Sequence, residues 1–299
     1  MRRLITRRTI LAGTAVLASA GVAYAGYVEP SMRLMVTRYR PRPRQWPQDL
    51  PLTIAVLTDF HIGEPAMGLG RIERIVAATN ALNPDLIVLL GDYPENLLWT
   101  TRSVSLAEFA RAMTGLKAPL GVWSVLGNHD WWDDEQAMRR RKGPTNVTRA
   151  LDAVGIPVLE NQAVKLSHRR QSFWLAGLGD ARAFPRAGLD LFDGVDDLPG
   201  TLAECEGDDP VILLAHEPDI FVSVPDRVAL TLCGHTHGGQ IRIAGWSPSI
   251  PSAFGHRFRY GHIIEDGRHL IVSSGLGCSR LPVRVGVPPE IVQIELGTV

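Results

Sequence analysis

Residues 120–130 read LGVWSVLGNHD, an apolar run that stops at Gly127 and hands over to Asn128, His129 and Asp130. A short apolar run closed by a glycine is the pattern of a strand buried on both faces. Polar residues just past the carboxyl end of such a strand stand where α/β sheets present ligand-binding groups. The construction recurs four times along the chain. Asp59 and His61 follow Leu52–Thr58, and Gly91-Asp92 follows Leu86–Leu90. His216 follows Val211–Ala215, and Gly234-His235-Thr236-His237 follows Val228–Cys233.

Carboxylate, imidazole and amide oxygen are donors that suit hard or borderline divalent ions, and no thiolate is needed. Each block is unremarkable alone. Asp-x-His arises by chance, Gly-Asp after a strand is often a turn, and a lone histidine is more often a core or loop residue than a ligand. Their ordered joint occurrence points to a metal centre, and five of the nine histidines lie in these blocks.

Between the blocks the pattern alternates strand and helix. Gly70–Asn83, Val104–Lys117 and Val147–Val154 carry apolar residues at helical spacing. Phe173–Leu178, His269–Ser273 and Ile291–Leu296 are further strand candidates. The alternation predicts an α/β fold with helices covering a sheet, and the strand-rich second half predicts two stacked sheets. The three cysteines are scattered and form no CxxC pair, so a disulfide framework is excluded.

The formal charge is zero, with 31 basic and 31 acidic residues, which excludes a broadly basic nucleic-acid binder. The balance is uneven, however. Residues 1–50 hold nine arginines and two acids, Glu29 and Asp49. Arg2, Arg3, Arg7 and Arg8 precede an uncharged stretch from Thr9 to Val28, so residues 1–28 read as an export signal or a membrane anchor. Thr6-Arg7-Arg8-Thr9-Ile10-Leu11 resembles a twin-arginine signal, with Ile10 for Phe and Ala12 for Lys. Ala23-Tyr24-Ala25 fits a cleavage site before Gly26. This predicts export across a bacterial inner membrane, to the periplasm or cell envelope, with the export machinery as a partner. Residues 29–50, with four prolines and alternating arginines, read as a basic linker or an edge strand, solvated or lying on anionic lipid. Residues 51–299 form the remaining domain.

In Asp59-x-His61, Gly91-Asp92, Gly127-Asn128-His129-Asp130, His216 and Gly234-His235-Thr236-His237, the sequence resembles the calcineurin-like metallophosphoesterase family. The likeness runs from about Leu52 to the C-terminus and includes Pro288-Pro289-Glu290-Ile291. The Gly238-Gly239-Gln240 extension and the export signal look like its twin-arginine-exported bacterial phosphodiesterase branch. The resemblance implies an α/β fold, a four-layer α-β-β-α sandwich of two mixed sheets flanked by helices. It implies two divalent cations, compatible with Mn, Fe or Zn. Asp59, His61 and His237 would hold one, Asn128, His216 and His235 the other, and Asp92 would bridge them. Two cations about 4 Å apart can share a hydroxide that attacks phosphorus in line. His129 would then serve the leaving alkoxide as catalytic acid. Asp130 either orients a neighbouring group or caps the following helix. Pro94, directly after Gly91-Asp92-Tyr93, is the one departure from the family pattern, and it bears on that loop's shape and not on the ligand.

Residues 235–289 contain six arginines and two acids, a basic stretch beginning at the last ligand block. Ile241–His262 reads as a loop rimming the site, and Arg242, Trp246, Arg280 and Arg284 are candidate substrate-binding residues. Cationic and apolar groups together suit a lipid-linked phosphoester; alternatively the aromatics pack the loop onto the domain. Trp131-Trp132 line the mouth or sit in the core, and His256 and His262 are further candidates for substrate contact. The leading reading is an exported or anchored binuclear phosphodiesterase. A second is a UDP-2,3-diacylglucosamine-type pyrophosphohydrolase of lipid A synthesis. Its cytoplasmic substrate fits an anchor facing the cytoplasm better than export. A third is a non-catalytic scaffold, against which Asp92, Asn128 and His129 all remain. No nucleic-acid partner is expected.

Overall fold

The computed structural model describes residues 7–186 and 191–297. Arg2, Arg3 and Thr6 of the export-signal reading lie outside the described residues.

One sheet orders β1 (Met35–Tyr39), β13 (Glu290–Leu296), β2 (Leu52–Leu57), β3 (Leu86–Leu89) and β4 (Val122–Ser124). Its pairs are parallel except β13 with β2. The other orders β11 (Gly261–Glu265), β12 (Arg268–Val272), β10 (Val228–Cys233), β9 (Val211–Leu214), β6 (Gln171–Gly177) and β5 (Gln162–His168). Its inner pairs are parallel and its two outer pairs antiparallel. β7 (Phe184–Pro185) and β8 (Phe192–Asp193) form a separate short ladder.

β2, β3, β9 and β10 read as nearly continuous apolar runs because both faces are covered. In β2, Ile54 and Val56 enter a core with Phe173, Ile212, Leu214 and Leu230 of the facing sheet. Ala55 and Leu57 point the other way, into a core with Ile72, Ile75, Phe109 and Leu151. Those residues belong to, in order, α2 (Leu69–Asn80), α3 (Leu106–Met113) and α6 (Asn146–Asp152). Between α3 and α6 lie α4 (Asn128–Trp132) and α5 (Glu135–Arg140). The outer face of the second sheet is covered by α7 (Leu198–Ala203) and by 3-10 turns carrying Phe221 and Phe258. The layers are therefore helix, sheet, sheet and a thinner helical cover.

α3 begins where Ser105 Oγ accepts from the Glu108 N–H and Glu108 accepts from the Ser105 N–H. Ser105→Ala is expected to cost about 1 kcal/mol, read as a lower thermal midpoint with metal content unchanged.

α2, α3 and α6 start and end within a few residues of the helical spans expected at 70–83, 104–117 and 147–154. β5 and β11 were not predicted. β5 is half exposed throughout, and β11 lies at the sheet edge, its first two residues overlapping the end of the segment read as a loop. That loop therefore ends at Tyr260, and His262 is paired with Ile271. Within residues 29–50, Met35–Tyr39 is an edge strand on β13, where Arg38 bonds Gln293 and Arg40 pairs with Glu295. At the N-terminus, α1 (Arg7–Ala23) runs into a π-helical segment, Tyr24–Met32. No helix among the described residues is long and apolar enough to cross a membrane.

Candidate metal centre

The loops after β2, β3 and β4 of one sheet meet those after β9 and β10 of the other. Two donor sets result, both buried: Asp59, His61 and His237, and Asp92, His216 and His235. In the first, His61 Nε2 is 3.1 Å from His237 Nε2, and His237 Nε2 is 3.3 Å from Asp59 Oδ1. In the second, His216 Nε2 is 3.2 Å from Asp92 Oδ2. Asp92 Oδ2 also lies 3.6 Å from His61 Nε2, so one carboxylate stands between the two sets. Asn128 is buried at the start of α4 beside it.

The chemistry of these atoms fits divalent cations. Buried polar atoms ordinarily find a hydrogen-bond partner. Asn128 Oδ1, His216 Nε2 and His235 Nδ1 have none, and all three belong to the second set that the family resemblance implies. The partners on the far side of two rings prepare them to ligate. His216 Nδ1 is 2.6 Å from Leu90 O, and His61 Nδ1 is 3.2 Å from Pro94 O. Each ring so held donates from Nδ1 and turns its Nε2 towards the centre. Pro94, the one departure from the family pattern, thus supplies an orienting carbonyl.

Backbone geometry marks the same positions. Asp59, His61, Asp92, His235 and His237 all have left-handed φ, between 42° and 67°. Such conformations cost on the order of 1 kcal/mol each and persist where surrounding structure enforces them. Glycines let the loops close. A Cβ on Gly127 would lie 2.5 Å from Asp92 Oδ1 and 2.7 Å from His216 Nε2. One on Gly234 would lie 2.5 Å from Asp59 Oδ2. Gly127→Ala is therefore expected to remove at least one ion per chain by elemental analysis, with the fold retained by circular dichroism. Full metal content would show that the loop relaxes around the methyl group.

Burial disfavours every charge at the metal-free site, but Asp92 outweighs it at His216 and holds that ring's pKa well above its ordinary value. Burial lowers His61 to about 3 and pushes His235 and His237 well down, so these rings are neutral and free to ligate. It raises Asp59 to about 6, with His216 opposing the rise and Asp92 adding to it. Burial also opposes the charge on Asp92, but His216, His129 and His61 outweigh it and hold that carboxyl well below its ordinary range. Asp130 is raised to about 7, by burial and then by Asp92. It accepts from the Gly127, Asp92 and Tyr93 N–H groups, so it both caps α4 and ties two ligand loops together.

His129 lines the cleft, with Trp132 edge-on at 4.9 Å. Its Nε2 is 2.9 Å from Asn96 Nδ2 and its Nδ1 3.7 Å from Asp133 Oδ2. The cleft holds about 820 Å³. Of the four substrate candidates, only Arg280 lines it. Arg284 is fully buried, donating to the carbonyls of Ser274, Gly277 and Val287, 3.3 Å from His237 Nδ1. Its cation helps keep that ring neutral rather than meeting substrate. Arg242 donates to Gly286 O and lies over Tyr260, and Trp246 stands outside the cleft wall, 61% exposed. His256 and His262 also lie off the wall, bonded to Arg259 and His269 respectively. The Trp131-Trp132 pair divides: Trp131 is core against Phe184, while Trp132 lines the mouth.

Three groups at the site escaped the sequence reading. Arg182 lies over Phe192 and places Nη1 3.4 Å from His235 Nε2. Asp180 and Glu217 form a buried carboxyl pair, both raised by burial, with Glu217 Oε1 4.0 Å from His235 Nδ1. Asp180 follows Gly179 past the end of β6, the same strand-end signature as the ligand blocks. Asn96, which holds His129, carries no motif at all.

Comparison with known proteins bears on this arrangement. Residues 52–239 match calcineurin-like phosphoesterase. An uncharacterized metallophosphoesterase of Bacillus subtilis, YkuE, is 31% identical over 96% of this chain and 93% of its own. Phosphodiesterase YaeI of Escherichia coli is 29% identical over 98% of this chain and 100% of its own. A transmembrane protein with metallophosphoesterase domain from Danio rerio is 28% identical over 97% of this chain, which spans 63% of that protein. A crystal structure of a dimetal phosphatase from Danio rerio aligns with TM-score 0.41 and 14% identity, over 75% of this chain and 88% of that one. Because the family match takes in all five strand-end blocks whose donors converge on Asp92, the chain belongs to the calcineurin-like phosphoesterase family.

Proposed function

We propose that this protein is a binuclear, metal-dependent phosphodiesterase acting at a cell membrane. The observation that carries the metal half is the trio of buried, unpartnered donors, Asn128 Oδ1, His216 Nε2 and His235 Nδ1, beside a carboxylate shared by two sets. Asp59, His61 and His237 would hold one divalent cation and Asn128, His216 and His235 the other, with Asp92 between. When bound, the cations neutralise phosphoryl oxygens and make a water acidic enough to attack phosphorus at neutral pH.

The protein's own groups do the rest. Arg280 and Arg182 line the cleft and offer charge to the ester's free oxygens. His129 faces the same space and donates a proton to the departing alkoxide as the P–O bond breaks. Asn96 holds it there; with its amide turned, the oxygen accepts from the protonated ring and from Ser279 Oγ. A cleft of about 820 Å³ leaves room for substituents on both sides of phosphorus. That volume, with the likeness to the protein named phosphodiesterase YaeI, favours a diester.

Hydrolysis of bis-p-nitrophenyl phosphate and of p-nitrophenyl phosphate should be compared on metal-analysed protein. Diester turnover that vanishes with chelator and returns with Mn, Fe or Zn is expected. Turnover unaffected by complete metal removal would overturn the reading.

The membrane half rests on the paired Arg7-Arg8, the uncharged stretch of α1 from Thr9 to Ala23 and the likeness to a protein named transmembrane. We place the protein outside the inner membrane after twin-arginine export, with α1 retained. Ala25 O accepts from the Arg284 N–H, so the bond after Ala25 is docked onto the domain rather than presented for cleavage. Intact mass of the exported protein is the check; a chain beginning at Gly26 would exclude the retained anchor.

A further inference from the structure

An apolar rim flanks one side of the cleft. Leu98 and Trp99 are 72% and 53% exposed, and Ile243 and Trp246 are 65% and 61% exposed. These residues come from two loops fastened to one piece of chain, residues 279–287. Leu98 N donates to Arg280 O, and Arg280 N to Asn96 O. Ile241 bridges to Val285, and Arg242 N donates to Val285 O. The N-terminal segment is fastened to the same piece: Arg284 N donates to Ala25 O and Val287 N to the buried Glu29 carboxylate. Ser279, Arg280 and Leu281 of that piece line the cleft itself. Cleft wall, apolar rim and the foot of α1 are thus a single connected surface.

α1 indicates what covers this surface. It bears no charge from Thr9 to Ala23, and every described side chain on it is exposed, including Leu11, Val16, Leu17 and Val22. Seventeen residues make a helix about 26 Å long, shorter than a bilayer's apolar thickness of about 30 Å. Aromatic residues cluster at its foot and on the rim: Tyr24, Tyr27, Trp99 and Trp246 are all exposed. Tyr and Trp favour the headgroup level, where an apolar body and a polar tip are both satisfied. Arg102 and Arg280 are exposed among them, placed to meet anionic headgroups. A helix uncharged over fifteen residues behind two arginines, exposed aromatic residues and interspersed arginines are the chemistry of a lipid surface.

We infer that the rim and α1 dock this protein on an anionic bilayer, with the cleft opening onto the headgroup layer, where it takes a phosphodiester presented by the membrane. The substrate part of this inference rests on the phosphodiesterase reading above; the docking part does not.

Full-length protein should be mixed with phosphatidylcholine vesicles containing phosphatidylglycerol, with and without brominated acyl chains. Bromolipid is expected to quench tryptophan fluorescence, and most of that quenching should disappear in the W99F/W246F variant. No quenching in the parent protein, or undiminished quenching in the variant, overturns the docking. So does a lipid-free dimer that shields both tryptophans from iodide, which would give the rim to a second copy. A second variant, L98S/W99S/I243S, addresses the substrate. It should lose about tenfold or more on a p-nitrophenyl phosphodiester of a lipid embedded in the vesicles, with bis-p-nitrophenyl phosphate turnover in solution unchanged. Equal rates for parent and variant on the embedded ester overturn the membrane-substrate inference. Failure of the parent on both esters overturns the phosphodiesterase reading, and the quenching result still decides the docking.

Discussion

Asp92→Asn is expected to abolish turnover while leaving the fold intact. Asp92 is 2% exposed, with Oδ2 3.6 Å from His61 Nε2 and 3.2 Å from His216 Nε2. Its carboxylate is thus within reach of both donor sets. Its Oδ1 accepts from the His129 N–H at 2.9 Å. An amide has nearly the same shape and keeps an oxygen for that bond. It also removes one negative charge from between two cations, and its NH₂ cannot ligate. Elemental analysis should find at least one ion missing per chain. The rate on bis-p-nitrophenyl phosphate should fall by about a thousandfold or more, since both positioning and charge neutralisation depend on the pair. Two ions and a parental kcat in this variant would remove Asp92 from its place between the sites.

His129→Ala should separate chemistry from metal binding. His129 makes no part of either donor set, yet it faces the cleft and is 5.2 Å, ring to ring, from His61. Burial disfavours its charged form, but Asp92 and Asp133 outweigh that and raise its pKa, as suits a proton donor. The variant should keep both ions. On a diester with an alkyl leaving group, kcat should fall by about 10²–10⁴, the usual value of a positioned acid. On bis-p-nitrophenyl phosphate the loss should be much smaller, because p-nitrophenolate departs without a proton. An equal loss on both esters with full metal content would assign His129 to holding the phosphoryl group instead.

The sequence made the metal centre legible because two short-range constraints coincide there. Strands buried on both faces must be apolar without interruption, so Leu86–Leu90 and Val228–Cys233 stand out. A ligand at a strand end then needs a tight turn and close backbone approach, so Gly91, Gly127 and Gly234 precede Asp92, Asn128 and His235. Asp180 obeys the same rule after Gly179 but is a single acid with no histidine near it in sequence. Arg284 was misplaced for a related reason. An arginine in a basic, aromatic stretch looks like a surface cation, and only packing reveals that three backbone carbonyls and a histidine ring enclose it. β5 and β11 were missed because half-exposed edge strands carry no continuous apolar run.

What the sequence pointed to alone was the class of fold and a set of candidate donor residues at strand ends, since both depend on neighbours a few positions apart. What tertiary structure decided was proximity. It brings Asp59 within 3.3 Å of His237 across nearly the whole domain and sets Asp92 between two histidines from different loops. It strips Asn128 Oδ1, His216 Nε2 and His235 Nδ1 of every hydrogen-bonding partner. It also gathers Leu98, Ile243 and the foot of α1 onto one edge of the cleft. Contacts of that range are set by the register and stacking of two sheets, which no local pattern encodes.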